Sequence, residues 1–262
     1  MKDLLKSDFY RFYNNKVFVI LPIFSVVYTA LFVGIIKLVD VGSTMLQGNV
    51  IGNKDVFGFI PTASNAANAV LAMSVVFSIF LMIFGAWFIS SEFTQGTLRN
   101  GIIIGKTRLQ IYFSKMIVMV ASFSICIFVS FVVFFIAFMF FFGFGSGAQF
   151  FFRTAKCLLL TLLLNLHYFG FACMFSFLIR SMQAAMTTGV LFVAAESIFM
   201  SIGQIFDKLQ GVSRTMPAYY LTRINFELTN TTYLLQGIAS NVVFFALATL
   251  AGCYFFMRSD VN

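Results

Sequence analysis

Charge is what this chain has least of. Only 10% of its 262 residues are Asp, Glu, Lys or Arg, while 60% are hydrophobic. A soluble domain of this size cannot cover its surface with so few charges. Histidine is scarcer still. His167 is the one histidine, and no acid shares with it the spacing to a nucleophile that Ser-His-Asp or Cys-His chemistry requires. Cys126, Cys157, Cys173 and Cys253 all fall inside apolar runs with no C-x-x-C spacing. They read as small buried hydrophobes rather than as a disulfide framework or a metal site. There is no internal repeat, no low-complexity linker and no room for a soluble catalytic domain. No catalytic residue, cofactor or metal is therefore expected on this chain, and it reads as a non-enzyme. The net charge of +8 does not point to nucleic acid. Most Lys and Arg residues lie at the ends of apolar runs, where they anchor spans and meet anionic lipid headgroups.

What the chain has in excess is long apolar runs. A membrane-crossing helix needs about 20 residues, and six runs reach that length: 17–36, 66–89, 116–142, 154–179, 184–206 and 238–257. The expected fold is an all-α integral membrane protein, one domain over 1–262, with residues 1–16 as an interfacial helix. In that helix Leu5, Phe9 and Phe12 recur at i, i+4 and i+7, with Lys2, Asp3, Lys6 and Arg11 elsewhere around it. No small-x-small cleavage site closes the first run, so a retained anchor is expected, bent near its start by Pro22. With the amino terminus inside, ten cations fall on inner segments and seven on outer ones. This bias puts both termini in the cytoplasm. The long segment near 207–237 carries Tyr219, Tyr220, Leu221 and Phe226, which suit short helices in the headgroup layer. Phenylalanine, 38 residues in all, is dense over 123–152 and reads as lipid-facing bulk.

The most informative stretch runs from Gly85 to Lys115. It places Arg99, Lys106, Arg108 and Lys115 against the single acid Glu92, the balance of a cytoplasmic loop. Leu98, Ile102 and Leu109 recur at roughly helical spacing, which predicts a short amphipathic helix on the inner surface. Gly105-Lys106-Thr107 imitates the end of a phosphate-binding loop, but Asn100 stands where that motif needs glycine and no buried strand precedes it.

From Glu92 to Lys115 the chain resembles the permease subunits of type-2 ABC exporters. In them the second span is followed by an acid, a Gly-Thr pair, a (Ser/Thr)-Arg pair and a Lys. Glu92, Gly96, Thr97, Thr107, Arg108 and Lys115 match these positions. Arg99, Asn100 and Tyr112 are similar to the bacitracin-resistance and lantibiotic-immunity members. Gly105 departs from them, since many relatives carry proline there. The resemblance implies six spans, a cytoplasmic coupling helix between the second and third, a second permease (identical or related), and a separate ATP-binding subunit that holds ATP and Mg. It implies that Glu92, Gly96, Thr97, Arg99, Asn100, Arg108 and Lys115 couple the chain to that partner. For Arg99, Lys106 and Arg108 plain anchoring to the inner surface explains the charge as well. The implied setting is a bacterial cytoplasmic membrane, and the implied cargo an amphipathic or hydrophobic compound such as an antimicrobial peptide.

Within the runs, His167 and Glu196 stand near the middle of the fourth and fifth, joined by the turn at 180–183. With Asn165 they either line a substrate path or subunit interface, or are satisfied inside the bundle by neighbouring helices. Two further function classes fit the composition: an ion-coupled carrier or pore without an ATPase, using Glu196 and His167 as a proton relay, and a membrane anchor or sensor that transports nothing.

Overall fold

The computed structural model describes residues 2–14, 16–45, 59–145, 147 and 149–258. Among these residues the chain is helical throughout, with no strand. The helices are α1 (Lys2–Tyr13), α2 (Lys16–Met45), α3 (Ala66–Ala72), α4 (Ser74–Thr94), α5 (Thr97–Ile103) and α6 (Arg108–Phe142). They continue with α7 (Phe150–Leu164), α8 (Leu166–Ile179), α9 (Met182–Ile205), α10 (Asp207–Ser213), α11 (Pro217–Arg223) and α12 (Thr231–Arg258). Among the described residues five stretches are long and apolar enough to cross a membrane: Ser74–Thr94, Arg108–Phe142, Phe150–Ile179, Met182–Gly203 and Thr231–Arg258. This is the build of a multi-pass membrane protein. In hydrocarbon each backbone N–H and C=O must be satisfied within the protein, which leaves helices as the solution for runs of this length. The expected run at 17–36 falls in α2, which continues unbroken through Pro22; its shorter apolar piece is Val26–Leu38.

Two of the spans are broken, which apolarity alone does not reveal. The run expected at 66–89 is α3 and α4, interrupted at Met73. The run expected at 154–179 is α7 and α8, interrupted at Asn165. There the Asn165 Nδ2 donates to the Thr161 carbonyl at 2.7 Å, so a side chain supplies the bond that the interrupted ladder lacks.

The loop expected at 90–115 is also shorter than expected. α4 runs on to Thr94 and α6 begins at Arg108. The early start of α6 has a local cause. Thr107 accepts from the Gln110 N–H while the Gln110 side chain accepts from the Thr107 N–H, a reciprocal capping box. Leu109 therefore belongs to α6, and the short helix between the spans is α5 alone.

α8 occupies the middle of the bundle, packed on α12, α4, α9 and α6. Its contact with α12 is close because both helices carry glycine there. A Cβ on Gly170 would lie 3.0 Å from the Ala248 Cβ, and one on Gly252 would lie 3.1 Å from the Met174 Cα. α2 packs on α6 at the flank. Phenylalanine divides between two roles. Phe123, Phe134 and Phe138 are buried, while Phe128, Phe140, Phe141, Phe151 and Phe152 face outward. One end of the bundle gathers α1, α5, the starts of α6 and α9 and the last turns of α4, α8 and α12. The other gathers α3, α10 and α11. Tyr219, Tyr220 and Leu221 of α11 are buried against the spans rather than laid in a headgroup layer; Phe226 alone of that expected set is exposed.

Candidate functional site

At the α1 end, four charged side chains from three helices meet. Glu92 lies in the last turn of α4 and Lys115 two turns into α6, and the Lys115 Nζ sits 2.5 Å from the Glu92 Oε1. The same ammonium pairs with Asp8 of α1. Asp8 takes a second donor from the Ser114 hydroxyl at 2.6 Å. Arg11, one turn further along α1, places its Nη1 2.9 Å from the Glu92 Oε1. Asp8, Glu92 and Lys115 are each buried to within 3% exposure, so none has water to compensate it. Two carboxylates and two cations balance, with Asp8, Glu92 and Lys115 buried and Arg11 half-buried at the edge of the cluster.

Asp8 was missed by the helical-face reading of the sequence. The buried face of α1 carries Asp8 and Phe12, with Leu4 half-buried, while Phe9 is exposed. Positions 4, 8 and 12 are themselves a helical stripe, and an acid between two apolar residues on one face was the available signal. Phe12 stands edge-on to Phe88 at 5.9 Å, beside the ammonium of Lys115.

The remaining residues of the stretch take separate places. Gly96 closes α4 at φ +67°, and a Cβ there would meet nothing within 4 Å, so backbone conformation rather than space asks for glycine. Thr97 opens α5 and donates to the Glu92 carbonyl at 3.4 Å. Arg99 and Asn100 lie in α5, and their side chains lie outside the described residues. Arg108 turns away from α5: its Nη1 donates to the carbonyls of Phe256 at 3.0 Å and Met257 at 2.7 Å, tying α6 to the last turn of α12. Ile103, the last residue of α5, and Ile104 just after it are 73% and 77% exposed. Lys106 and Ile104 edge a groove of about 370 Å³ between α1, α5 and α6.

A second polar cluster lies among α8, α9, α11 and α12. Glu196 accepts from the Tyr168 hydroxyl at 2.9 Å through Oε2 and from the Ala218 N–H at 3.2 Å through Oε1. The His167 Nδ1 lies 2.5 Å from the Asn241 Oδ1, and Asn241 donates its amide to the Gly237 carbonyl at 2.8 Å. The His167 Nε2 faces the Glu196 Oε2 at 3.7 Å, beyond hydrogen-bonding distance. His167 and Glu196 are thus brought together, and Asn165 is not; it serves the break in its own span. Tyr168, Asn241 and the Ala218 backbone were not legible from spacing, since each comes from a different helix. Glu196 receives one of the free N–H groups that open α11, the usual office of a helix cap, here performed from a neighbouring span.

A family profile described as "Protein of unknown function (DUF2705)" matches residues 41–261. The chain belongs to that family. No match to a curated protein was found. The DUF2705 match takes in α3 to α12, and with them Glu92, Lys115, His167 and Glu196. Asp8 and Arg11, the other half of the four-charge cluster, precede the matched region.

Proposed function

We propose that this DUF2705 chain is the membrane-spanning permease subunit of an ATP-driven exporter of the type-2 ABC class. In this reading α2 is the first of six spans, both termini lie in the cytoplasm of a bacterium, and α5 is the coupling helix. A second permease, identical or related, stands beside it. A separate subunit binds Mg and ATP and pushes on α5. The cargo is an amphipathic or hydrophobic compound, with antimicrobial peptides the class that the sequence resemblance suggests.

The observation that carries the reading is the pairing of Glu92 with Lys115. The first and last charged residues of the loop pattern meet in a buried ion pair at the base of α4 and α6. The hairpin above them is therefore held at its root, and it ends in two exposed isoleucines, Ile103 and Ile104. A short helix fixed at its base and apolar at its tip is suited to receive a push and pass it to two spans as a rigid shift. Arg108, tied to α12, extends the same connection to a third span.

The test is a mild-detergent pull-down of the tagged chain from native membranes with ATPase activity assayed on the eluate. An ATP-binding subunit co-elutes with the parent chain, and Ile104→Asp, a surface change that spares the core, releases it. Failure of any ATPase to co-elute under several conditions removes the proposal.

The carrier reading keeps one observation in its favour, the buried His167 Nε2 turned toward Glu196. It requires flux that follows the proton gradient and ignores ATP, and loss of that flux in Glu196→Gln. Both carboxylate oxygens of Glu196 already hold donors from Tyr168 and α11, which favours a role in holding the bundle.

A further inference from the structure

α5 has a small footing. It is seven residues long, and of its apolar side chains only Leu98 is fully buried. Across the groove from it stands α1, with Leu4 and Ser7 on one wall and Leu98 and Gly101 on the other. Among the described residues, the Arg11 side chain reaches across this space. The guanidinium of Arg11 donates through Nη1 to the Thr97 hydroxyl at 3.4 Å and through Nη2 to the Gln95 side chain at 3.3 Å. The same Nη1 pairs with Glu92. Thr97 is the first residue of α5 and Gln95 ends α4, so one fork holds the junction of the two helices from the side of α1. Arg11 is in turn aimed by Asp8, one turn earlier, which docks α1 on Lys115 and Ser114 of α6.

We propose that Asp8 and Arg11 are positioning residues that make α1 and α5 one rigid piece at the base of α4 and α6. Asp8 seats α1, and Arg11 is the strut that sets the angle of α5. This goes beyond anchoring α1 to a membrane surface. It concerns the geometry of the chain itself and stands or falls independently of whether an ATP-binding partner drives α5.

Two properties separate a strut from a mere buried charge. Lysine at position 11 supplies a charge beside Glu92 but has no fork with which to reach Thr97 and Gln95 as well. And the cluster is balanced, so Asp8→Asn leaves one cation in excess, Lys115→Met leaves one anion in excess, and the two together restore neutrality.

The experiment uses the full chain in lipid nanodiscs with spin labels on cysteines at Tyr10 and Ile103, both well exposed. The four native cysteines are buried. The unaltered cluster gives one narrow distance distribution between α1 and α5. Arg11→Lys keeps the thermal transition close to the parent and broadens the distance. Asp8→Asn lowers the transition and broadens the distance, and Asp8→Asn with Lys115→Met recovers most of the lost transition. A distribution in Arg11→Lys as narrow as the parent's overturns the strut. A double variant no more stable than Asp8→Asn overturns the balanced cluster that seats it. Co-elution of an ATPase moves neither result.

Discussion

Lys115 has two carboxylates within reach, and only one of them, Glu92, lies in the stretch that the sequence singles out. A buried ion pair adds little net stability, because desolvation of both partners offsets most of their attraction; removing one partner alone is what costs. Glu92→Ala leaves Lys115 with Asp8 as its remaining carboxylate and takes the ion-pair partner from Arg11, and the expected loss is about 3–5 kcal/mol, read from thermal unfolding in detergent. What the cluster provides is registry: with three helices meeting at one ammonium, α1, α4 and α6 have one way to align. Gly105 is a residue of the opposite kind, required by backbone alone. Its φ of +88° is open to glycine and closed to the proline that the family resemblance leads one to expect, since proline holds φ near −65°. Gly105→Ala should cost about 1–2 kcal/mol in the same unfolding measurement, and Gly105→Pro should prevent the turn from forming. The glycine that departs from the resemblance at this position is thus the residue that the turn's backbone requires.

At the scale of helices, apolar length was legible and continuity was not. Hydropathy located all five crossing stretches because the membrane tolerates little else over 20 residues. It could not find the breaks at Met73 and Asn165: Met73 is as apolar as its surroundings, and a single asparagine barely changes the mean hydropathy of a long run. Nor did it find the burial of α11, whose tyrosines suit a headgroup layer equally well. The deciding contacts there come from other helices: α12, α9, α4, α7 and α3. Glu196 is the clearest case: spacing marked it as a buried charge, and the partner that explains it, the Ala218 N–H, belongs to a segment read as surface. Glu196→Gln retains one acceptor oxygen for two donors, so one bond is lost, at about 1–3 kcal/mol. Faster hydrogen exchange confined to α11 is the expected reading. Packing offers a second prediction. Gly170→Leu places a side chain where Ala248 and the Phe245 carbonyl already stand near 3 Å, and overpacking of this kind costs about 1–3 kcal/mol. The measurement is the thermal transition, with Gly211→Leu, at an open position, as the control.

The molecule as a whole has a polarity that labelling can check. α1, α5 and the last turn of α12 share one end; α3, α10 and α11 share the other. In the proposed six-span reading, the first end faces the cytoplasm. Cysteines at Lys6 and Ile104 should react with an impermeant maleimide only in inverted vesicles, and one at Asn230 only in intact spheroplasts. Reaction of all three from one side would dismantle the bundle as described. The charged corner that joins α1 to α4 and α6 was half visible from sequence. Its family-like half, Glu92 and Lys115, stood in a pattern. Asp8 and Arg11 stood in a helix whose expected apolar face holds at Phe12 and half-buried Leu5 but not at exposed Phe9, and the buried acid beside it was passed over.

Glu196 also bears on how the chain is made. Synthesis delivers α8 and α9 to the membrane before α11 and α12 exist, and an ionised side chain at a helix centre raises the cost of insertion by about 3 kcal/mol. Tyr168 precedes Glu196 in the chain, whereas Ala218 follows it by 22 residues. During biogenesis the carboxylate therefore has one partner on hand and a second still on the ribosome. Entry of α8 and α9 as a pair would let Tyr168 hold the acid until the segment that completes its shell has been translated.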